Sequence, residues 1–405
     1  MNKLNINREL VLGSIILLVT FNIYNLLNFV FQFSMARLLS IADYGALATI
    51  MSVIYITGIF SESIQNLMTK HASEEKNLGK LKNIFKRISK RMILASIIIF
   101  VAYIVLAIPF SFLSHISYPL LALNGLMIFA AFFIPVSRGL LLGRKKFYGL
   151  GINLIVESSI KLIFAIGLVI IGARVYGAIT GIILGSLVAF FISFINISDI
   201  IKSKEKQSDA SKIKLDIKPI FIITSCLLLF YSVDIIIARM VFSPEVSGAY
   251  AIISILSKAM FWGTQPISRA MFPMTSEKVK KDSRILLLNA VLFVSITLIV
   301  ALLALYFFSD KIISVFSGKT LVGLAEPLMY LSLGTSALAF TNLVLLYKLS
   351  KNAISKPSIF IVFILIEVIA LFVFSSTIQS FSLAFLISSV IFLIGASLIS
   401  IRNKK

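Results

Sequence analysis

The sequence predicts an all-α polytopic membrane protein of about twelve transmembrane helices, arranged as two parallel six-helix repeats that form two lobes around a central cavity. Three observations predict it. The 405 residues are 59% hydrophobic with a mean hydropathy of +1.02, leaving too little polar surface to cover a water-soluble globule. Apolar stretches near twenty residues long recur twelve times, and a bilayer core about 30 Å thick is crossed by roughly 20 apolar helical residues. The stretches are continuously apolar, as from Ile97 to Ile108, rather than alternating, which favours helices over a β-barrel.

Taken in order, span 1 (9–35) is too long for a signal-peptide core and shows no small-residue cleavage site, so it is expected to remain as a helix. Span 2 (44–69) is followed by a Lys-rich loop at 70–91. Spans 3 (92–114) and 4 (118–143) contain Pro109 and Pro135, which free backbone carbonyls and can kink a helix. Span 5 is read at 147–172. Span 6 (175–198) carries Gly177, Gly181 and Gly185, a small-residue ridge suited to close helix contact. A charged linker at 201–218 separates an N-terminal lobe (1–200) from a C-terminal lobe (219–405). Span 7 (219–240) holds the single cysteine, Cys226, read as a packing residue that has no disulfide partner in the chain. Span 8 (246–272) includes Pro266. Spans 9 (284–308), 10 (323–347), 11 (357–376) and 12 (380–401) complete the second set.

The formal charge of +21 could suggest nucleic acid, but its placement argues otherwise. With Met1 in the cytoplasm, 31 of the 38 Lys and Arg residues fall in inner segments and five in outer turns. That asymmetry is the positive-inside pattern. It predicts a multi-pass protein of the cell membrane with both termini cytoplasmic, with no nucleic-acid partner. Attraction to anionic lipid is a secondary effect.

The chain also repeats itself. Ala36-Arg37-Leu38-Leu39-Ser40-Ile41-Ala42-Asp43-Tyr44-Gly45-Ala46 follows span 1, and Ala238-Arg239 through Ser243-Pro244-Glu245-Val246-Ser247-Gly248-Ala249-Tyr250 follows span 7. Both place an acidic residue and then Gly-Ala where the next helix opens. Ser73-Glu74 matches Ser276-Glu277 at an offset of 203. Six spans per half is an even number, so the halves run in the same sense, a plan in which substrate binds between lobes near mid-bilayer.

On these residues the chain resembles the polysaccharide-biosynthesis flippases of the Wzx type, in the multidrug/oligosaccharidyl-lipid/polysaccharide (MOP) exporter superfamily. Phe272-Pro273 at the end of span 8 adds to the likeness. The resemblance implies a twelve-helix, two-lobed transporter. Its cargo would be a polyprenyl-pyrophosphate-linked oligosaccharide carried from the inner to the outer leaflet. Implied partners are membrane lipid, that oligosaccharide lipid, a proton or Na+ for coupling, and other polysaccharide-assembly proteins. The motif residues Arg37, Asp43, Gly45, Arg239, Glu245 and Gly248 sit at outer turns, where turn geometry and helix capping are their expected work.

Candidate site residues are the polar groups the spans cannot hide. A charge at the bilayer centre costs roughly 2.5–3.5 kcal/mol on insertion scales and therefore faces the bundle interior or a wet cavity. Glu157 and Lys161 share one face of span 5, with Asn153 one turn earlier. Two readings follow: the pair neutralises itself, or Glu157 exchanges a proton or cation while Lys161 meets the anionic lipid head. Lys258 has Ser254 and Ser257 beside it and needs a partner from another helix, Glu367 or Asp234, or a substrate phosphate. Arg138 and Arg269 join the substrate-binding set, although near inner helix ends Arg can reach the headgroups. Asn22, Asn25 and Gln32 of span 1, with Asn28 and Ser34 nearby, and Gln265 of span 8 supply amides for sugar hydroxyls. The alternative for these amides is interhelical hydrogen bonding. Glu157, Asp234, Glu62 and Glu367 form the ion- or proton-coupling set; in the repeat, Glu62 aligns with Gln265 and Gln32 with Asp234.

No cofactor is expected. His71 and His115 lie far apart in the expected topology, suggesting no metal cluster, and no Gly-x-x-x-x-Gly-Lys-Ser/Thr loop occurs. Energy is expected from an ion gradient, membrane potential or consumption of product. A membrane enzyme of lipid-linked glycan assembly would need acids, bases or a metal on a sizeable outer loop. The longest outer connection, about 309–322, offers Asp310, Lys311 and Lys319. A cation-coupled multidrug exporter of the same superfamily is the nearer rival; its mark would be an acidic site without buried lysines.

Overall fold

In hydrocarbon every backbone N–H and C=O needs an internal partner, so each apolar run closes its hydrogen bonds along itself as helix. The computed structural model describes residues 8–207, 218–276, 283–351, 353–354 and 356–399. The first half comprises α1 (Arg8–Leu38), α2 (Ile41–Glu74), α3 (Leu78–Ser114), α4 (Tyr118–Gly125), α5 (Met127–Gly143), α6 (Phe147–Leu168), α7 (Arg174–Asn196) and the short α8 (Ser198–Lys202). The second comprises α9 (Lys218–Val241), α10 (Pro244–Ser276), α11 (Ser283–Ser317), α12 (Ala325–Ser350), α13 (Ile361–Val373) and α14 (Ile378–Leu398). Among the described residues no strand occurs. Most of the linker expected at 201–218, Glu277 of the repeat, and both chain ends lie outside the described residues.

Among the described residues, ten stretches are long and apolar enough to cross a membrane, and Pro357–Val373 adds a shorter one. The stretch Phe147–Asn196 holds two spans, α6 and α7, joined by a π-helical turn at Val169–Ala173. The chain reverses there because Gly172 takes φ 97°, a left-handed conformation open to glycine, followed by Arg174 at φ 48°. Twelve spans result.

Four elements differ from the sequence reading. Residues 78–91, expected as loop, are the first turns of α3. Asn77 caps them by accepting from the backbone N–H of Gly79 (3.0 Å) and Lys80 (3.2 Å). Leu81, Ile84 and Ile88 are buried there while Lys86, Arg87, Lys90 and Arg91 are exposed, so this part of the helix is amphipathic. The connection expected at 309–322 is helical through Ser317, bent at Phe308. Span 4 is broken at Leu126 into α4 and α5, and span 11 opens as a 3₁₀ turn, Pro357–Phe360. Hydropathy marks where a helix leaves the bilayer, whereas the backbone ladder continues until a cap or breaker stops it.

The chain divides into two compact units. Described residues within Met1–Leu39 and Thr57–Leu215 form the first, and those within Ser40–Ile56 and Asp216–Lys405 the second. The core of the first gathers Met68, Leu81, Phe132, Leu140, Leu150 and Ile200, with Phe60 stacked on Phe132 at 5.4 Å. The expected glycine ridge of α7 lies against α6: a Cβ at Gly181 would fall 2.5 Å from the Ala165 nitrogen, and one at Gly185 2.6 Å from the Glu157 carbonyl. Beyond the end of α7, Asp199 accepts from Arg144 (2.5 Å) and Lys146 (3.0 Å). Burial pushes the Asp199 carboxyl up, but the bonds and charges of those two cations outweigh it and hold it below its ordinary value.

In the second unit, the repeat motif makes a helix crossing. A Cβ at Gly45 would stand 2.7 Å from the Gly248 Cα, and one at Gly248 would strike the Ile41 carbonyl. Arg239 Nη1 ties the same crossing together, donating to the carbonyls of Ala42 (3.3 Å) and Pro244 (3.2 Å) and to Ser247 Oγ (3.1 Å). Gly248→Ala should therefore lower stability by about 1–3 kcal/mol, the scale of forced overpacking. Thermal unfolding of the purified variant checks this, and an unchanged midpoint would show that the crossing yields freely.

Lys348 of α12 is a buried charge that sequence reasoning did not single out. Its ammonium donates to the carbonyls of Ala396 (2.6 Å), Ser397 (2.8 Å) and Ile399 (2.7 Å), closing the C-terminus of α14, where peptide dipoles concentrate negative charge. Lys348→Met leaves those carbonyls without it, and should cost about 1.5–3 kcal/mol. A melting temperature equal to wild type would contradict that role.

Candidate functional site

Among the described residues, each unit brings buried acidic and basic groups together in its helices, and the two sets differ in charge. In the first unit, Arg138 of α5 reaches across to α6. Its Nε donates to Asn153 Oδ1 at 2.7 Å and its Nη2 pairs with Glu157. Asn153 is fully buried and passes the network to α7, donating to the Ala189 carbonyl (2.6 Å) and Ser193 Oγ (3.0 Å). Ser186 donates to Glu157 Oε1 at 3.4 Å. The ion pair of Glu157 is thus with Arg138 on a neighbouring helix, which the i,i+4 spacing to Lys161 did not reveal.

Lys161, 7% exposed, turns instead to α1. Its ammonium donates to Asn28 Oδ1 and lies 4.6 Å from the centroid of the Phe31 ring. Both partners are neutral. Across the network, Arg138 and Lys161 supply two positive charges against the one carboxylate of Glu157, so the cluster carries a net positive charge when all three are ionised.

In the second unit, Asp234 of α9 is fully buried and accepts three hydrogen bonds from successive turns of α10. The donors are Tyr250 Oη (2.9 Å), Ser254 Oγ (2.8 Å) and Lys258 Nζ (2.6 Å). Of the two partners the sequence offered Lys258, the structure places Asp234 on it. Lys258 also lies 4.8 Å from the centroid of the Tyr231 ring. Glu367 of α13 is 0% exposed, and neither carboxyl oxygen meets a hydrogen-bond partner among the described residues, although it lies within electrostatic range of Asp234 and Lys258. This is a neutral ion pair beside a carboxyl that no donor holds.

Asn22 and Asn25 are exposed, and Asn22 donates to its own helix at the Leu18 carbonyl, 2.8 Å. Gln32 is half-buried, and Asn28 is the amide of α1 that the structure joins to a charged group. Glu62 on α2 and Arg269 on α10 are exposed, and Gln265 is half-buried. Asn28, Ser186, Ser193 and Tyr250 complete the clusters without having been chosen as site residues. Asn28 stood out in the sequence as an amide inside an apolar run; a serine or tyrosine in such a run carries no comparable signal. Among the described residues no group of three or more His, Cys, Asp or Glu is placed to hold a metal ion.

Residues 34–326 match the model of a family described as "Polysaccharide biosynthesis protein". No curated protein matches the chain in sequence. Solved structures do match it in fold. An inward-facing multidrug resistance transporter of the MATE family, in the MOP superfamily, superposes with a TM-score of 0.74 at 13% identity over 93% of each chain. The lipid II flippase MurJ in its inward closed conformation gives 0.67 at 17% identity, covering 94% of this chain and 86% of that one. A MOP superfamily transporter from Pyrococcus furiosus gives 0.55 at 14% identity, with 96% and 93% covered. At such identities the likeness establishes the fold, and it is the one that the signatures at Ala36–Gly45 and Ala238–Gly248 led us to expect.

Proposed function

The chain belongs to the polysaccharide biosynthesis protein family, and from that membership we propose that it is a flippase for a polyprenyl-pyrophosphate-linked oligosaccharide. The lipid moves from the cytoplasmic to the outer leaflet of the cell membrane by alternating access, driven by an ion gradient or the membrane potential. The observation that carries the reading is the net positive cluster of the first unit. Lys161 is held by an amide oxygen and an aromatic face, with Glu157 in electrostatic range but paired to Arg138, so the cluster keeps a surplus positive charge that attracts a pyrophosphate, strongly so at low dielectric. Arg138, already paired, lends a second positive charge, while the polyprenyl tail stays in lipid.

The Lys and Arg asymmetry supports cytoplasmic termini. The lipid II flippase among the solved structures of similar fold is consistent with a lipid-linked cargo. Glu367 is our candidate for binding the coupling proton or Na+, since a buried carboxyl without a donor contributes little to the fold. Asp234 is held by its three donors and enters coupling only if Lys258 leaves it. Arg269, Gln265, Gln32, Asn22, Asn25 and Glu62 remain candidates for contacts along the path. Other polysaccharide-assembly proteins are the expected partners.

Glu367 also favours the rival reading, a cation-coupled exporter of small molecules. One reconstitution separates the two. Vesicles containing the protein and a fluorescently labelled undecaprenyl-pyrophosphate oligosaccharide are treated with an external reductant that bleaches only exposed label. The flippase reading expects bleaching beyond the outer-leaflet fraction, dependent on protein. Bleaching equal to that of empty vesicles, with a cationic dye moved against an imposed proton or Na+ gradient, would favour the exporter.

A further inference from the structure

Exposed helix faces in this protein are mostly what lipid selects. α11 presents Leu292, Phe293, Ile296, Ile299 and Val300, and the Thr297 hydroxyl among them is turned back onto the Phe293 carbonyl at 2.9 Å. The exposed face of α10 beyond Lys258 is different. Trp262, Pro266 and Arg269 follow one another at i, i+4 and i+7 and are all exposed, with Gln265 half-buried at their edge. Gly263 is exposed as well, and a Cβ built there meets nothing within 4 Å. A strip bearing an amide and a guanidinium is costly against acyl chains and suits a wet surface.

Trp262 is the single tryptophan of the chain and is 38% exposed. Its orientation is fixed from behind: the indole Nε1 donates to Tyr231 Oη at 2.6 Å, and the two rings stand edge to face at 5.9 Å. Tyr55 adds a third ring, 6.4 Å from Trp262 and 6.2 Å from Tyr231. The indole N–H is used inward, so the exposure that remains is carbon surface of a ring braced before any ligand arrives, which lowers the ordering cost of binding. A sugar ring has complementary chemistry. Its axial C–H groups form an apolar face that packs on an aromatic ring, and its equatorial hydroxyls point outward, where Gln265 and Arg269 offer an amide and a guanidinium.

We propose that Trp262, braced by Tyr231 and flanked by Gln265 and Arg269, is a stacking platform for a sugar ring of the transported glycan. The assignment rests on the flippase reading and adds to it a glycan contact carried by the second unit.

The single tryptophan makes the test direct. The full-length protein in lipid nanodiscs is titrated with two probes: undecaprenyl pyrophosphate, and the same lipid carrying two N-acetylglucosamine residues. Trp262 emission should change with the glycolipid and not with the bare lipid. Aqueous acrylamide should quench it, and lipids brominated on the acyl chains should not. Trp262→Ala should weaken glycolipid binding about fivefold to tenfold, the scale of one aromatic contact, and leave the bare lipid unchanged. Trp262→Phe should retain most of the affinity. Gly263→Leu, whose Cβ enters open space, should weaken glycolipid binding as Trp262→Ala does. Quenching by brominated lipid would make Trp262 a membrane anchor and overturn the platform. So would glycolipid affinity unchanged in both Trp262→Ala and Gly263→Leu, with the flippase reading left standing. Wild-type protein that binds neither lipid would remove the flippase reading and the platform together.

Discussion

Lys258→Met should destabilise the protein by about 3–5 kcal/mol, the cost of leaving a buried charge without its counter-ion. Asp234 is 0% exposed and Lys258 3%, and the ammonium sits 2.6 Å from one carboxylate oxygen. Tyr250 and Ser254 still donate to Asp234 in the variant, but two neutral hydroxyls do not replace a positive charge at low dielectric. Removing both charges, as Lys258→Met with Asp234→Asn, should recover most of the loss, because neither residue is then a lone buried ion. Glu367→Met, by contrast, removes a group that no donor satisfies and should leave the melting temperature unchanged or raise it. Thermal unfolding in one detergent, analysed as a double-mutant cycle, decides. A Lys258→Met protein as stable as wild type would mean that Asp234 does not need its ammonium.

The second large effect concerns transport. Lys161→Met should lower the initial rate of protein-dependent flipping at least tenfold, about 1.4 kcal/mol or more in the barrier, with the protein still folded. Methionine matches the length of the lysine stem, packs on Phe31, and deprives only the Asn28 amide oxygen of a donor. The fold thus loses little while the cluster loses its surplus charge. Lys161→Arg keeps that charge and should retain more activity than Lys161→Met. The same bleaching assay reads both. Equal rates for Lys161→Met and wild type would leave the net positive cluster without a role in cargo recognition.

Much of this architecture was legible because the bilayer leaves so few options. Twelve apolar runs and an even repeat constrain a chain strongly. The Ala-Arg and Gly-Ala signatures pointed to turn geometry and capping, whereas Gly45 and Gly248 lie inside α2 and α10 and make a helix crossing. The buried charges were legible as individual residues: Glu157, Lys161, Asp234, Lys258 and Glu367 stand out against their apolar neighbours. Their partnerships were less so. Arg138 with Glu157 and Lys161 with Asn28 are contacts between helices far apart in sequence, and periodicity along one helix cannot specify the rotation of another. For Lys258 the sequence could narrow the partner only to two. Helix extent was the other gap: Leu81, Ile84 and Ile88 form an apolar stripe too short and too diluted by lysines to register as a span, yet they are buried and α3 is helical from Leu78.

Helix α2 has a consequence for how this molecule can be divided. Its first turns, within Ser40–Ile56, complete the compact unit formed by the second half of the chain, while the rest belongs with the first. The duplicated segment and the compact unit are therefore not the same object: the boundary between the units falls inside α2. A fragment beginning at the central linker would lack the Gly45 side of its Gly248 crossing and the Ala42 carbonyl that Arg239 grips. Severed at the obvious place, the C-terminal piece would be an incomplete body rather than a free-standing lobe.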